Sequence, residues 1–228
     1  MKMKRDICVI GAGRYGQAII EQLNKLNHSV FVLDKDEKAL QAVSDLSSNV
    51  YIVDAADMKA LNAIDIKEVS TVIVASPDNI EIVAALLELK VKNIIVRATS
   101  RRHARVLKQI GVHMIVRPEY EAGVRTALIA TNPNFIHYSK NLNEVGNNFV
   151  MGTTYVYNKD FENKELKDLN LYQQGINVVL VSRDGKSILP IGTTKLLRND
   201  SITFVGSIAD ATKFMAVINL ENEKKLED

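Results

Sequence analysis

A single cysteine, Cys8, occurs in the 228 residues, so no intramolecular disulfide braces the chain and a reducing compartment is expected. Cys8 stands in an apolar run and reads as a small packing residue rather than a reactive thiol. Charge of one sign is equally scarce. Lys and Arg number 29 against 27 Asp and Glu, a formal net charge of +2, with no dense basic run for nucleic acid and no acidic tail. The apolar stretch behind MKMKRD runs straight into glycines and a polar helix, too short for a signal h-region or a membrane span. A cytoplasmic protein is expected, peripheral to any membrane through a partner. Internal repeats and low-complexity tracts are absent. The composition, 46% hydrophobic and 25% charged, is that of an ordinary globular protein with room for one large domain or two small ones.

The first half alternates regularly. Short β-branched runs recur at residues 7–10, 30–33, 50–53, 72–74, 94–96 and 112–116. Most are continuous, as expected for strands covered on both faces. Helical patterns lie between them: Ile19, Leu23 and Leu26 line one, Leu40 and Val43 a second, and Val83, Leu86 and Leu87 a third. Val106 and Ile110 mark another, closed by Gly111. Strand–helix alternation of this length predicts a Rossmann-like α/β fold, a doubly wound parallel sheet with right-handed crossovers. Pro118 suits the first position of a further helix, running to about residue 130.

After Asn132-Pro133 the pattern changes. Residues 1–132 are taken as the first domain and 133–148 as a polar linker with one apolar cluster at Phe135, Ile136 and Tyr138. Residues 149–228 then form a small α+β lobe. Its strands alternate over 149–157, and Asp184-Gly185 signals a hairpin between VVLVSR and KSILPI. A strand over 201–205 precedes a closing helix around 209–220.

Gly11-Ala12-Gly13-Arg14-Tyr15-Gly16 follows the first strand and opens the first helix, the context that a G-x-G-x-x-G loop requires. Gly11 makes the tight turn, Gly13 admits phosphate to the backbone, and Gly16 lets helix and strand pack closely. The helix N-terminus then offers free amides and a positive dipole end. Asp34, closing FVLD, stands where an acid accepts hydrogen bonds from ribose hydroxyls and disfavours a 2′-phosphate. A second reading makes Asp34 the cap of a helix over 35–45. Later strand ends line the same crevice: Asp54 and Ala55, then Ala75 and Ser76 with Pro77-Asp78-Asn79, and Arg97. Arg97 is open to two readings, a phosphate contact or a structural cation. Asp57 is expected to cap its helix, and the group Arg101, Arg102, His103 and Arg105 to be a solvated face. The candidate nucleotide set is Gly11, Gly13, Arg14, Tyr15, Gly16, Asp34, Lys35, Asp54, Ala55, Ala75, Asn79 and Arg97.

A dinucleotide-dependent oxidoreductase needs a second domain carrying a general acid or base beside the nicotinamide. The C-terminal lobe has no histidine, and His28, His113 and His137 show no metal-ligand spacing with one another or with Cys8. A nucleotide is expected without a visible reaction to consume it. No catalytic residue is assigned.

That combination resembles the cytosolic regulators of potassium conductance, the RCK proteins, and among them the KtrA/TrkA-type gating subunits of potassium-uptake systems. The carrying residues are GAGRYG, where many members read G-L-G-R-F-G, Asp34 at the ribose position, and Arg97 in VRA where relatives often have VKA. Arg117-Pro118-Glu119 corresponds to a family H-P-E, and the C-lobe text from KELKDLNLYQQGINVVLV to SITFVGS follows the family in order and spacing. The resemblance implies dimers assembled into an octameric ring beneath a KtrB/TrkH-like membrane potassium transporter, with ATP or ADP rather than redox chemistry switching its shape. It further implies that Arg14 reaches a γ-phosphate. Glu119 would help hold an Mg, Ca or Na ion near the phosphates at the dimer interface, or would simply favour a helix N-terminus. Some relatives bind cyclic di-AMP in the C-lobe through an arginine motif; this chain keeps Asn177 there but lacks the arginine. The other functional reading is a small NAD(H)-binding redox sensor or oxidoreductase subunit.

Overall fold

Strand β1 (Ile7–Ile10) lies inside a sheet, and its neighbours set the frame of the first unit. With β2 (Val30–Asp34), β3 (Asn49–Ile52), β4 (Thr71–Val74), β5 (Ile94–Arg97) and β6 (Met114–Val116), it forms a six-stranded parallel sheet in the order β3-β2-β1-β4-β5-β6. This is the Rossmann-like doubly wound arrangement, with the order reversing between β1 and β4. The structure, a computed structural model, describes residues 7–130 and 141–220.

Both faces of the sheet are apolar, which is why the strand sequences do not alternate. On one face Cys8, Ile10, Phe31, Leu33, Val72 and Val74 pack with Leu61, Leu86 and Leu107. On the other, Val9, Val32 and Ile73 meet Ile20 and Leu40. The helices that supply these side chains are α1 (Arg14–Lys25), α2 (Glu37–Gln41), α3 (Met58–Ala63), α4 (Ile80–Glu88) and α5 (Arg101–Gln109). Ile20 is the fully buried residue of α1, whereas Leu26, expected on its inner face, is exposed at the C-cap. Strand β3 departs from the expected double covering: Val50 and Ile52 are exposed, because the strand is an edge of the sheet. Gly111 (φ +107) closes α5, its N–H donating to the Lys108 carbonyl.

The chain divides into two units, Met1–Glu119 and Tyr120–Asp228, within helix α6 (Pro118–Ala130). The second unit is a five-stranded antiparallel sheet, β7 (Asn141–Gly146), β8 (Phe149–Tyr155), β9 (Ile176–Arg183), β10 (Lys186–Ile188) and β11 (Ser201–Ser207), in the order β10-β9-β11-β8-β7. Helix α7 (Ile208–Ile218) covers it. Of the stretch read as a linker, residues 131–140, including Phe135, Ile136 and Tyr138, lie outside the described residues. Residues 141–146 are strand β7, which polar Asn-rich sequence concealed because, among its described side chains, Leu142 alone is buried. The hairpin turns at Asp184 (φ 49) and Gly185 (φ 77), the paired positive values of a type I′ turn. Phe204 and Phe214 meet edge to face at 5.1 Å, and Phe161 joins at 6.2 Å; each such pair adds about 0.5–1.5 kcal/mol beyond its area. Buried Asp200 takes a two-pronged bond from Arg183, Nε to Oδ1 at 2.7 Å and Nη2 to Oδ2 at 2.8 Å, and also accepts from Leu197 N at 2.7 Å. The pairing holds the Arg183 guanidinium protonated more firmly still.

Candidate functional site

The glycine loop sits at the reversal of strand order, and its three glycines answer to different constraints. Gly11 has φ +100, and a Cβ there would lie 2.8 Å from Ser76 N. A Cβ on Gly16 would lie on the Gly11 carbonyl, so helix α1 and the loop touch backbone to backbone. Gly13 differs: nothing lies within 4 Å of where its Cβ would be. Packing does not demand a glycine at this position; an approaching ligand would.

Helix α1 begins at this loop with Gly13 as N-cap, no capping side chain and no acid in its first turn. Helix α4, after β4, also lacks a side-chain cap. By contrast α2, α3 and α5 are capped by Asp36, Asp57 and Ser100. Of α1 to α5, the two without a side-chain cap are thus those that follow β1 and β4, the strands flanking the reversal, where an anion would complete the dipole ends.

Asp34 is not the cap of α2. Asp36 is, accepting from Lys38 N at 2.9 Å, and the helix spans Glu37–Gln41 rather than 35–45. The Asp34 carboxylate instead joins the loop to the end of β2, Oδ2 accepting from Ala12 N at 2.6 Å and Oδ1 from Asp36 N at 2.9 Å. It stays half-buried on the wall of a cleft of about 400 Å³, within the usual size range of small-ligand pockets. Gly11, Lys35, Asp54 and Ala55 line the same cleft. Sequence reasoning overlooked Val53, Ala56, Ile80, Glu81 and Ile82, which complete its walls with Ser76 and Asp78. Ile80, 37% exposed at the start of α4, carried the available signal, an apolar residue at a helix mouth beside an expected crevice.

Other predicted residues gather around Arg97. Its Nη1 donates to the Ala75 carbonyl at 3.3 Å, its Nη2 bonds Glu119 Oε1, and its guanidinium lies 5.6 Å from the centre of the Tyr15 ring. Glu119's own backbone N–H and the Arg97 bond hold its carboxyl below the usual carboxylate range. Among the described residues no three or more His, Cys, Asp or Glu come together to hold a metal. Asn79, predicted as a ligand contact, is 1% exposed. Its amide donates to Ser76 O at 2.7 Å and Arg97 O at 2.9 Å. Its Oδ1 therefore accepts from His103 Nε2 at 3.1 Å. Asn79 is scaffold, and His103, expected on a solvated face, anchors it. Arg14 is exposed and has no partner among the described residues. In the second unit Asn177 lies exposed on β9, opposite Val205.

The chain matches the TrkA-N domain family over residues 7–118 and the TrkA-C domain family over residues 154–219. It is 31% identical over 225 residues to the Ktr system potassium uptake protein C of Bacillus subtilis, covering 93% of this chain and 96% of that protein. A protein of Mycoplasma genitalium is 32% identical over 231 residues, covering 98% and 100%. Among solved structures the GsuK channel bound to NAD superposes with a TM-score of 0.59 at 15% identity, over 95% of this chain and 40% of that one; this likeness speaks for the fold. Among the described residues no helix is long and apolar enough to cross a membrane. The chain belongs to the TrkA/Ktr family of potassium uptake proteins, RCK proteins built from a TrkA-N domain followed by a TrkA-C domain.

Proposed function

We propose that this protein is a cytoplasmic, nucleotide-sensing regulatory subunit that gates a membrane potassium transporter and catalyses no reaction itself. The observation that carries the reading is the cleft at the strand reversal, lined by Gly11 and the Asp34 carboxylate, which bonds Ala12 N next to the open Gly13 and the uncapped start of α1. An adenine nucleotide fits it. Phosphates take the loop amides, the ribose hydroxyls take Asp34, and Val53 and Ile80 offer apolar surface to the base. Lys35 and Arg14 are the nearby cations of the sequence. ATP and ADP differ in one charged group, so a subunit with two conformations is moved only by their difference in affinity for those conformations. The second reading, an NAD(H) sensor, draws on the same loop and Asp34 and on the NAD named for the GsuK channel.

A thermal-shift panel with ATP, ADP, NAD+, NADH and cyclic di-AMP tests both, because a ligand specific to the folded state raises the midpoint by mass action. ATP and ADP are expected to give the largest shifts. Asp34→Ala should weaken both equally, by about 1.5–3 kcal/mol for bonds to a charged group. A panel led by NADH would favour the second reading. Cyclic di-AMP, if bound, should lose its shift in Asn177→Ala and keep it in Asp34→Ala.

A further inference from the structure

Asn79 stands at the N-cap position of α4, yet its side chain does not cap the helix. An asparagine there ordinarily turns its oxygen onto the first free amides. This one turns inward, and the residue is 1% exposed. Its Nδ2 donates to Ser76 O at 2.7 Å and Arg97 O at 2.9 Å, and its Oδ1 accepts from His103 Nε2 at 3.1 Å.

The imidazole is held at both nitrogens. Because both amide protons of Asn79 go to carbonyls, its oxygen faces the ring and Nε2 carries the proton. Nδ1 is then the acceptor, 3.3 Å from Thr99 N and 3.2 Å from Thr99 Oγ1. The backbone N–H of His103 donates to Ser100 Oγ, the cap of α5, at 3.0 Å. His103 thus belongs to the first turn of α5 by its backbone and to Asn79 by its ring.

The other end of this link is the cleft wall. Ser76, Ile80, Glu81 and Ile82, on either side of Asn79 in the chain, line the cleft. The Ser76 backbone also braces the glycine loop, its N–H donating to Ile10 O at 3.3 Å. A shift of this wall carries the Asn79 amide with it. The amide cannot move alone, because two carbonyls and an imidazole would lose their partner.

We infer that the Asn79–His103 hydrogen bond couples the cleft to α5: His103 is a positioning residue for the cleft wall, and occupancy of the cleft reaches the first turn of α5 through the same bond. Such coupling is reciprocal and runs through packed, hydrogen-bonded contacts. The nucleotide reading above supplies the occupant; the bond itself is tested without one.

Hydrogen exchange of the full chain is followed at residues 76–82 and 99–105, with 37–41 in α2 as the control. Without ligand, Asn79→Ala should speed exchange at 99–105 and His103→Leu at 76–82. Each change should be about two- to tenfold, the net worth of one hydrogen bond, with 37–41 unmoved. His103→Gln, whose amide nitrogen can stand where Nε2 stood, should restore the wild-type rate at 76–82. His103→Asn, whose amide stands nearer to Nδ1, should not. ATP or ADP should slow both segments in the wild type and in His103→Gln, but 76–82 alone in His103→Leu.

The coupling is overturned if each substitution loosens only its own segment, or if all three segments loosen equally. Identical behaviour of His103→Leu and His103→Gln also overturns it. So does nucleotide protection that spares 99–105 in the wild type, or that persists there in His103→Leu. If no nucleotide protects 76–82, the nucleotide reading fails and the ligand-free rates still decide the coupling. If Asn79→Ala does not fold, the His103 variants decide alone.

Discussion

Arg14 is exposed and bonds to nothing among the described residues, although it stands in a loop whose amides suffice for a pyrophosphate. An arginine with no structural employment is available for charge beyond the second phosphate, which a guanidinium binds with two parallel bonds. Arg14→Ala is therefore expected to weaken ATP more than ADP, by about 1–2 kcal/mol of difference, without moving the thermal midpoint. Titration calorimetry on the two nucleotides reads this directly. Equal losses would make Arg14 a general phosphate clamp and place the ATP–ADP distinction elsewhere. Arg97 is the contrasting case. Its sequence context allowed either a phosphate contact or a structural cation, and its side chain is engaged by Ala75, Tyr15 and Glu119.

At the scale of elements, the loop and α1 separate what folding requires from what a ligand requires. The Cβ of Gly16→Ala would land on the Gly11 carbonyl, and overpacking of this kind costs about 1–3 kcal/mol or more. Gly13→Ala meets no atom within 4 Å and keeps an ordinary φ of −68. Gly13→Ala is thus expected to lose only about 0.5–1 kcal/mol, the preference for glycine over alanine at an N-cap, yet to bind adenine nucleotides at least tenfold more weakly, a loss of about 1.4 kcal/mol. Gly16→Ala should lose stability first. Denaturant melts paired with nucleotide titration distinguish the two. A Gly13→Ala protein with unimpaired affinity would mean that phosphate does not approach this stretch of backbone.

For the whole molecule, a regulator acting on a symmetric membrane partner requires matching closed symmetry, and a dimer or octamer is the expected form in solution. The second unit carries exposed apolar residues suited to association: Leu189 is 82% exposed and Ile191 69%, just beyond the edge strand β10. Multi-angle light scattering at micromolar concentration should show a dimer or larger closed assembly, with and without ATP or ADP. A monomer under all of these conditions would sink the gating-ring reading.

The parallel sheet was legible in the chain because a strand buried on both faces must be apolar at consecutive positions, as at Val9 and Ile10, and because crossover handedness leaves few ways to connect such strands. The tight loop was legible because a positive φ at Gly11 and the backbone contact at Gly16 admit few residue types but glycine. Strand β7 was not, since a buried leucine and an exposed valine three residues apart do not make the alternation of a strand. Nor were the partners of long polar side chains. That Asp34 is drawn to Ala12 N and leaves the capping of α2 to Asp36, that Asn79 turns inward to His103, and that Arg97 pairs with Glu119 all depend on contacts between segments more than twenty residues apart in the chain. Local sequence specifies backbone and burial pattern through nearest-neighbour physics. Which donor meets which acceptor is decided only when packed elements bring them within hydrogen-bond reach.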